Sequence, residues 1–547
     1  MQFDPILPVE RVRAMTEAGH WPGRIITDYL DRCIAEDPDR TAIVDSNSMT
    51  GRSTRLTYRE LGRLVDCIAL GLVELGIGKN DVVSFQLPNW WQFTALHLAC
   101  VRIGAVTNPM MPIFRERELT FMLGLAESKV MIVPREFRGF DYPAMLSGIR
   151  DKLPHLKHVL SVGGEGPGSF EDVLPGTERE NSAEEAKLFS ARRPTPNDIT
   201  QLLYTSGTTG EPKGVMHTAN TMMSNILPYA RRLGLNRSDI VLMASPMAHQ
   251  TGFMYGLMMP IMLQTTAVLL DIWEPKQAVE RITKEGVTFT MASTPFLADL
   301  TDTVASGAGK ADSLRIFLAA GAPIPRALVE RAGKTLGANI ISAWGMTENG
   351  AVTMTRPDDP ESKTIGTDGC PLEGVEIRVV DGANKPLPVG EEGMLKVRCC
   401  SNFAGYLKRP EWFNHDAEGW FDTGDLARID AEGYVRITGR SKDIIIRGGE
   451  NVPVVEIEGL LFRHPAVQAV AIVGIPDSRL GERACAFAVP KPGQNLTLAD
   501  IVAFLEEQKV AKQYLPERLE VMEELPRTPS GKIQKFKLRE VAKTFAA

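Results

Sequence analysis

Over roughly 400 residues this chain alternates helix-like with strand-like segments, and that alternation predicts an α/β fold with buried, mostly parallel strands in layers. The stretch "TYRELGRLVDCIALGLVELG" spaces its apolar residues three and four apart and opens with Thr57 and Glu60 in a capping-box pattern, so it predicts a helix. "DVVSFQL" follows as a short β-rich run, "WWQFTALHLACVRIG" reads as a helix, and "AVTNPM" as the next strand. Near residue 440 the texture changes. "GYVRITGRSKDIIIRGGENV" reads as short strands around a polar, glycine-punctuated joint. A helix at "VVEIEGLLFRH", strands at "VQAVAIVGI" and "ERACAFAVP", and a helix at "LADIVAFLEEQ" complete a small α+β domain. The expected division is therefore a large domain of layered α/β subdomains over residues 1–440 and a small domain over 441–547.

Bulk properties agree with a multidomain globular protein. At 547 residues the chain exceeds what one core supports, and 44% hydrophobic with 24% charged residues is ordinary for such proteins. No stretch has eighteen uninterrupted apolar residues, and "MQFDPILPVERVRAMTEAGHWPGR" lacks a basic end followed by an apolar core. A cytoplasmic location without a membrane span is the expectation. The seven cysteines are scattered with no C-x-x-C pair, which suits reduced, buried thiols. A net charge of −7, from 61 basic and 68 acidic residues, argues against a broad nucleic-acid surface, so an anionic ligand must be met locally.

The place for such a ligand is "LLYTSGTTGEPKGVMHT", Leu202 to Thr218. An apolar run leads into Thr205, Ser206, Gly207, Thr208, Thr209, Gly210, Lys213 and Gly214. Glycines let a backbone approach phosphate closely, N–H groups and hydroxyls donate to it, and a lysine adds charge. It is a phosphate cradle without the Walker A pattern, since Pro212 precedes Lys213 and Gly214 follows it.

"YTSGTTGEPKGV" resembles the signature loop of the adenylate-forming superfamily, which includes acyl-CoA synthetases, firefly-type luciferases and peptide-synthetase adenylation domains. "AWGMTE" (Ala343 to Glu348), "WFDTGDLARID" (Trp420 to Asp430), "GRSKDIIIRGGENV" (Gly439 to Val452) and "PRTPSGKIQK" (Pro526 to Lys535) follow in the superfamily's order, so the resemblance covers nearly the whole chain. It implies two half-reactions: a carboxylate attacks the α-phosphate of ATP to give acyl-adenylate and pyrophosphate, then a thiol displaces AMP. Displacement at a triphosphate calls for fixed cations and a metal rather than a protein nucleophile.

By that resemblance, Thr205 to Gly210 and Lys213 hold the phosphates, Glu348 is the Mg²⁺ ligand, Asp425 accepts the ribose hydroxyls and Arg440 contacts the ribose. Gly321, Ala322 and Pro323 of "AAGAP", with Trp344, Gly345, Met346 and Thr347, line the nucleotide. Trp344 stands where the superfamily usually has tyrosine; an indole can stack on a purine but lacks the phenol hydroxyl. Lys532 is the lysine of the first half-reaction. A small mobile domain then turns about Lys442, and Gly448 and Gly449 leave room for the pantetheine arm of CoA.

The segment "SPMAHQTGFMYGLMMPIML" supplies His249, placed by resemblance beside the reacting carboxylate and the thiol tunnel, followed by a methionine-rich apolar run. With His249, Gln250, Phe253, Gly321, Gly345 and Met346 form the expected acid pocket. No cation or amide-rich cluster is visible around the segment, and methionines adapt to irregular apolar shapes, so a compact hydrocarbon acid is expected. The wording most resembles synthetases for alicyclic acids such as cyclohexanecarboxylate, with medium-chain fatty acids and benzoates as alternatives. The segment lacks the amine-binding aspartate of a peptide synthetase, and a fused carrier is not expected. The expected partners are ATP, Mg²⁺, CoA and a small carboxylic acid, with a homodimer allowed. The reading from another class is a non-catalytic adenylate-binding protein, against which the intact set Lys213, Glu348, Asp425 and Lys532 speaks.

Overall fold

The computed structural model describes residues 1–166, 168–173, 183–205, 212–321, 324, 326–441, 445–447, 450–477, 480–528 and 533–545. Two large sheets carry most of it. In one, six parallel strands run in the spatial order Asn339–Met346, Ile316–Ala320, Phe289–Ala292, Ile240–Met243, Thr266–Leu269, Thr41–Val44, with antiparallel strands at both edges. In the other, His158–Val162, Val130–Pro134, Val82–Phe85, Val106–Pro109 and Ile199–Thr205 are parallel, and Lys213–Thr218 closes the edge antiparallel to Ile199–Thr205.

The largest core lies between these sheets, and the helix Trp91–Arg102 runs through it with ten residues, Gln92 to Val101, buried. Its sequence is apolar nearly all round, as a helix covered on every side requires. The helix Tyr58–Glu74 is amphipathic instead, and it opens as the spacing predicts. Thr57 Oγ1 accepts from the Glu60 N–H at 3.2 Å, while Glu60 Oε2 accepts from the Thr57 N–H at 2.8 Å.

The parallel expectation holds for both large sheets and fails between them and the C-terminal part. Val375–Val380, Gly393–Cys399, Phe421–Ile429 and Val435–Arg440 form a four-stranded, wholly antiparallel sheet. Gly393–Cys399 alternates buried and half-buried residues, the period-2 pattern of a sheet with one covered face. Beyond it, Ile445–Arg447, Glu450–Val452, Val467–Asp477, Gly481–Pro490 and Arg518–Val521 form a further sheet, with helices Val454–Leu461, Leu498–Glu507 and Lys535–Lys543. Its two buried clusters draw only on residues from Ile445 onward. Among the described residues no cysteine is in a disulfide, and all but the half-buried Cys67 are buried. No helix among the described residues is long and apolar enough to cross a membrane.

Candidate active site

The ends of the glycine-rich loop are cross-strand neighbours. Thr205 closes one strand, Lys213 opens the next, and the two are register partners in the antiparallel pair. Ser206, Gly207, Thr208, Thr209 and Gly210 lie outside the described residues. Lys213 Nζ sits 4.8 Å from the ring centre of Tyr406 and 5.0 Å from that of Trp412, held over two electron-rich faces.

The same tyrosine grips Glu348. Its hydroxyl donates to Glu348 Oε1 at 2.8 Å, and the Glu348 carbonyl accepts from the Phe403 N–H at 2.8 Å. Burial pushes the Glu348 carboxyl above the usual glutamate range, while the Tyr406 hydrogen bond and the charges of Lys213 and Arg440 pull it back. Among the described residues no group of three or more His, Cys, Asp or Glu side chains could hold a metal. A single buried, hydrogen-bonded carboxylate oxygen does suit Mg²⁺, which takes few protein ligands and completes its shell with phosphate and water.

Asp425 is buried in the strand Phe421–Ile429, paired in register with Arg440. Arg440 Nε lies 3.1 Å from Asp425 Oδ1, and the Trp344 indole N–H donates to Oδ2 at 3.0 Å. The tryptophan at the tyrosine position thus supplies a polar contact of its own. Gly345 and Gly350 lie where the antiparallel strands Asn339–Met346 and Gly350–Met354 come closest, and a Cβ on Gly345 would stand 2.0 Å from the Gly350 carbonyl oxygen. Any side chain there forces the strands apart. Met346 packs against Phe403, Tyr406 and Phe421, and the Thr347 carbonyl accepts from His217 Nε2 at 2.8 Å. Gly321 adopts φ +90° at an exposed turn, a left-handed conformation natural to glycine; Ala322 and Pro323 lie outside the described residues.

On the acid side, His249 is half-buried, with Nδ1 accepting from the Thr251 N–H at 3.3 Å. The next segment, Gly252–Met258, is a fully buried π-helix, a geometry that clusters at functional sites. Phe253 is buried edge-on against His97, with ring centres 4.6 Å apart. Tyr255 ties this helix to the strand after Glu348: its hydroxyl donates to Asn225 Oδ1 at 2.6 Å and accepts from the Ala351 N–H at 2.9 Å. The expectation of no amide-rich neighbourhood needs correction. Gln201 Nε2 donates to Gln250 Oε1 at 3.2 Å, and Gln201 Oε1 and Gln250 Nε2 remain buried without a hydrogen-bond partner. The partner amide comes from a strand 49 residues away, so the local segment gave no sign of it.

Lys213, Glu348, Trp344, Asp425 and Arg440 therefore converge, while Lys532, Lys442, Gly448 and Gly449 lie outside the described residues. Sequence reasoning missed Tyr406 and Trp412. Their one cue is a run of aromatics and a glycine, "NFAGYLKRPEW", between two recognised motifs.

A lysine held over Tyr406, a buried glutamate gripped by the same tyrosine and a tied Asp–Arg pair make the site of an adenylate-forming enzyme. The chain belongs to the family of AMP-binding enzymes, whose profile matches residues 30–407, and the profile of that family's C-terminal domain matches 456–532. It is an enzyme of the acid–CoA ligase class, the class that works on a small carboxylic acid, ATP and CoA. It is 37% identical to the medium-chain fatty-acid–CoA ligase of Escherichia coli K12 over 97% of this chain and 92% of that one. It is 35% identical to a salicylyl-CoA synthase/salicylate adenylyltransferase of a Streptomyces species, over 98% and 97%. Among solved structures, ATP-bound MatB from Rhodopseudomonas palustris superposes with a TM-score of 0.84 at 27% identity, covering 96% of this chain and 100% of that one.

Proposed function

We propose that the chain is an AMP-forming ligase for a compact, mostly hydrocarbon carboxylic acid, with cyclohexanecarboxylate as the preferred candidate and medium-chain fatty acids or benzoates as the alternatives. The observation that carries the reading is the convergence of Lys213, Glu348 and the Asp425–Arg440 pair, which together suit a nucleoside triphosphate. Thr205 to Gly210 and Lys213 take the phosphates, Asp425 and Arg440 the ribose, and Trp344 with Gly321 to Pro323 the adenine. Glu348 would hold Mg²⁺, which when bound neutralises phosphate charge.

The acid carboxylate, placed by His249, Gln250, Phe253, Gly345 and Met346, attacks the α-phosphorus. An oxygen–phosphorus bond forms as the bond to pyrophosphate breaks, and Lys532 stabilises the charge that develops. The small domain, 441–547, then turns about Lys442 and takes Lys532 away. Gly448 and Gly449 admit the pantetheine arm, whose sulfur attacks the acyl carbonyl and expels AMP.

The buried methionines and Phe253 support a hydrocarbon acid, and the similarity to a medium-chain ligase supports the fatty-acid alternative. The spare donor and acceptor of the Gln201–Gln250 pair favour a second reading, a hydroxylated benzoate. Pyrophosphate release with cyclohexanecarboxylate, octanoate, benzoate and salicylate, each with and without CoA, separates these. A CoA ligase stalls after one equivalent when CoA is omitted, and absence of release with every acid sinks the reading.

A further inference from the structure

The buried loop Cys400–Leu407 joins the two halves of the phosphate end. On one side its Phe403 N–H and Tyr406 hydroxyl hold Glu348, and its Ser401 hydroxyl donates to the Asn349 carbonyl at 2.8 Å. On the other, the Leu407 N–H donates to the Gly214 carbonyl at 2.8 Å, Met216 exchanges backbone hydrogen bonds with Ala404 and Gly405, and Tyr406 faces Lys213. A buried loop without helix or strand must find partners for its carbonyls elsewhere.

The N-terminal arm supplies them in series. The Trp21 indole N–H donates to the Cys400 carbonyl at 2.9 Å, and the Arg11 guanidinium to the carbonyls of Asn402 and Phe403. The Ile6 N–H reaches the Ala404 carbonyl at 2.7 Å. Arg11, on the helix Val9–Glu17, also stacks over Trp21 with its guanidinium carbon 5.6 Å from the ring centre. Taking a guanidinium out of water is costly, and the two carbonyls repay it only while the loop holds this path. The arm lies outside the matched 30–407 region.

We propose that Arg11 is a positioning residue for the nucleotide site: through the carbonyls of Asn402 and Phe403 it fixes the loop that aims Glu348 and Lys213 at the triphosphate. The proposal rests on the phosphate-site reading above. Arg11 touches no substrate; it acts on Tyr406 and the Phe403 N–H.

The test uses the full chain with Arg11→Ala, Arg11→Lys, Trp21→Phe and the exposed neighbour Arg13→Ala. Binding of ATP with Mg²⁺ is measured by calorimetry, and amide exchange over 400–407 by mass spectrometry. Arg11→Ala should weaken MgATP binding by about tenfold, the scale on which groups behind a metal ligand act. It should also raise exchange in that loop and leave thioester formation from supplied acyl-adenylate unchanged. Arg11→Lys and Trp21→Phe should move both binding and exchange part-way, and Arg13→Ala neither. Faster exchange with unchanged MgATP affinity makes the arm merely structural and overturns the proposal, as does no change in either. If the unaltered protein binds no MgATP, the phosphate-site reading has failed and the proposal falls with it.

Discussion

Trp344→Phe removes one hydrogen-bond donor while keeping an aromatic face for the adenine. The donor meets Asp425 Oδ2 at 3.0 Å, and Arg440 meets the other oxygen at 3.1 Å, so each carboxylate oxygen is committed to one partner. A carboxylate oxygen can accept more than one hydrogen bond, so a ribose hydroxyl can join the indole rather than displace it. The indole N–H then acts by keeping the carboxylate from swinging wholly toward Arg440. A hydrogen bond to a charged group contributes about 1.5–3 kcal/mol, and the ribose hydroxyl returns part of it in the complex. A net cost near 1.4 kcal/mol corresponds to about tenfold. Steady-state pyrophosphate release should show the KM for ATP rising about tenfold with the acid KM unchanged, and Trp344→Tyr should recover part of the loss. An ATP KM that stays level or falls would mean that ribose displaces the indole, and would refute this reasoning.

Lys532→Ala should slow adenylation by about 10²-fold or more, the scale of one preorganised transition-state contact, and leave thioester formation from supplied acyl-adenylate nearly intact. Equal losses in both halves would contradict a lysine that serves only one. Lys442→Pro should do the reverse, sparing adenylation and blocking CoA transfer, as followed by single-turnover assays of each half. Burial pushes His97 down to about 3, His217 to about 4 and His415 to about 3, so the folded protein keeps these rings neutral where an unfolded chain protonates them. The unfolded state then binds more protons as pH falls below about 6.5, and stability present above that value is lost on acidification. Each ring accounts for about 1 kcal/mol between pH 7 and 5.5, or roughly 3 kcal/mol together, by chemical denaturation. A midpoint indifferent to pH across that range counts against buried neutral imidazoles.

Local patterns carried what depends on local chemistry. The Thr57–Glu60 cap, the buried helix Trp91–Arg102 and the strands Val82–Phe85 and Val106–Pro109 were legible because period and capping are properties of adjacent residues. Lys213, Glu348, Asp425 and Arg440 were legible through their motifs. Tyr406 was not, because its meaning lies in reaching Glu348 across 58 residues. The Gln201–Gln250 pair and the Trp344–Asp425 bond escaped for the same reason: a hydrogen bond between distant side chains leaves no period in the sequence. The antiparallel sheet was missed because strand direction is set by how distant segments pair, and the alternation of buried and half-buried residues in Gly393–Cys399 does not by itself report it.

The π-helix Gly252–Met258 has a consequence for how the proposed acid pocket can diversify. A π-turn holds one residue more than an α-turn, so deleting a single residue there would let the segment relax into ordinary α-helix. Everything on the N-terminal side, including His249 and Gln250, would then rotate by about 100°, the angle of one α-helical residue. If the proposed pocket is right, a one-codon deletion would thus exchange the whole set of side chains offered to the acyl group, a change of specificity that many point substitutions together would struggle to match.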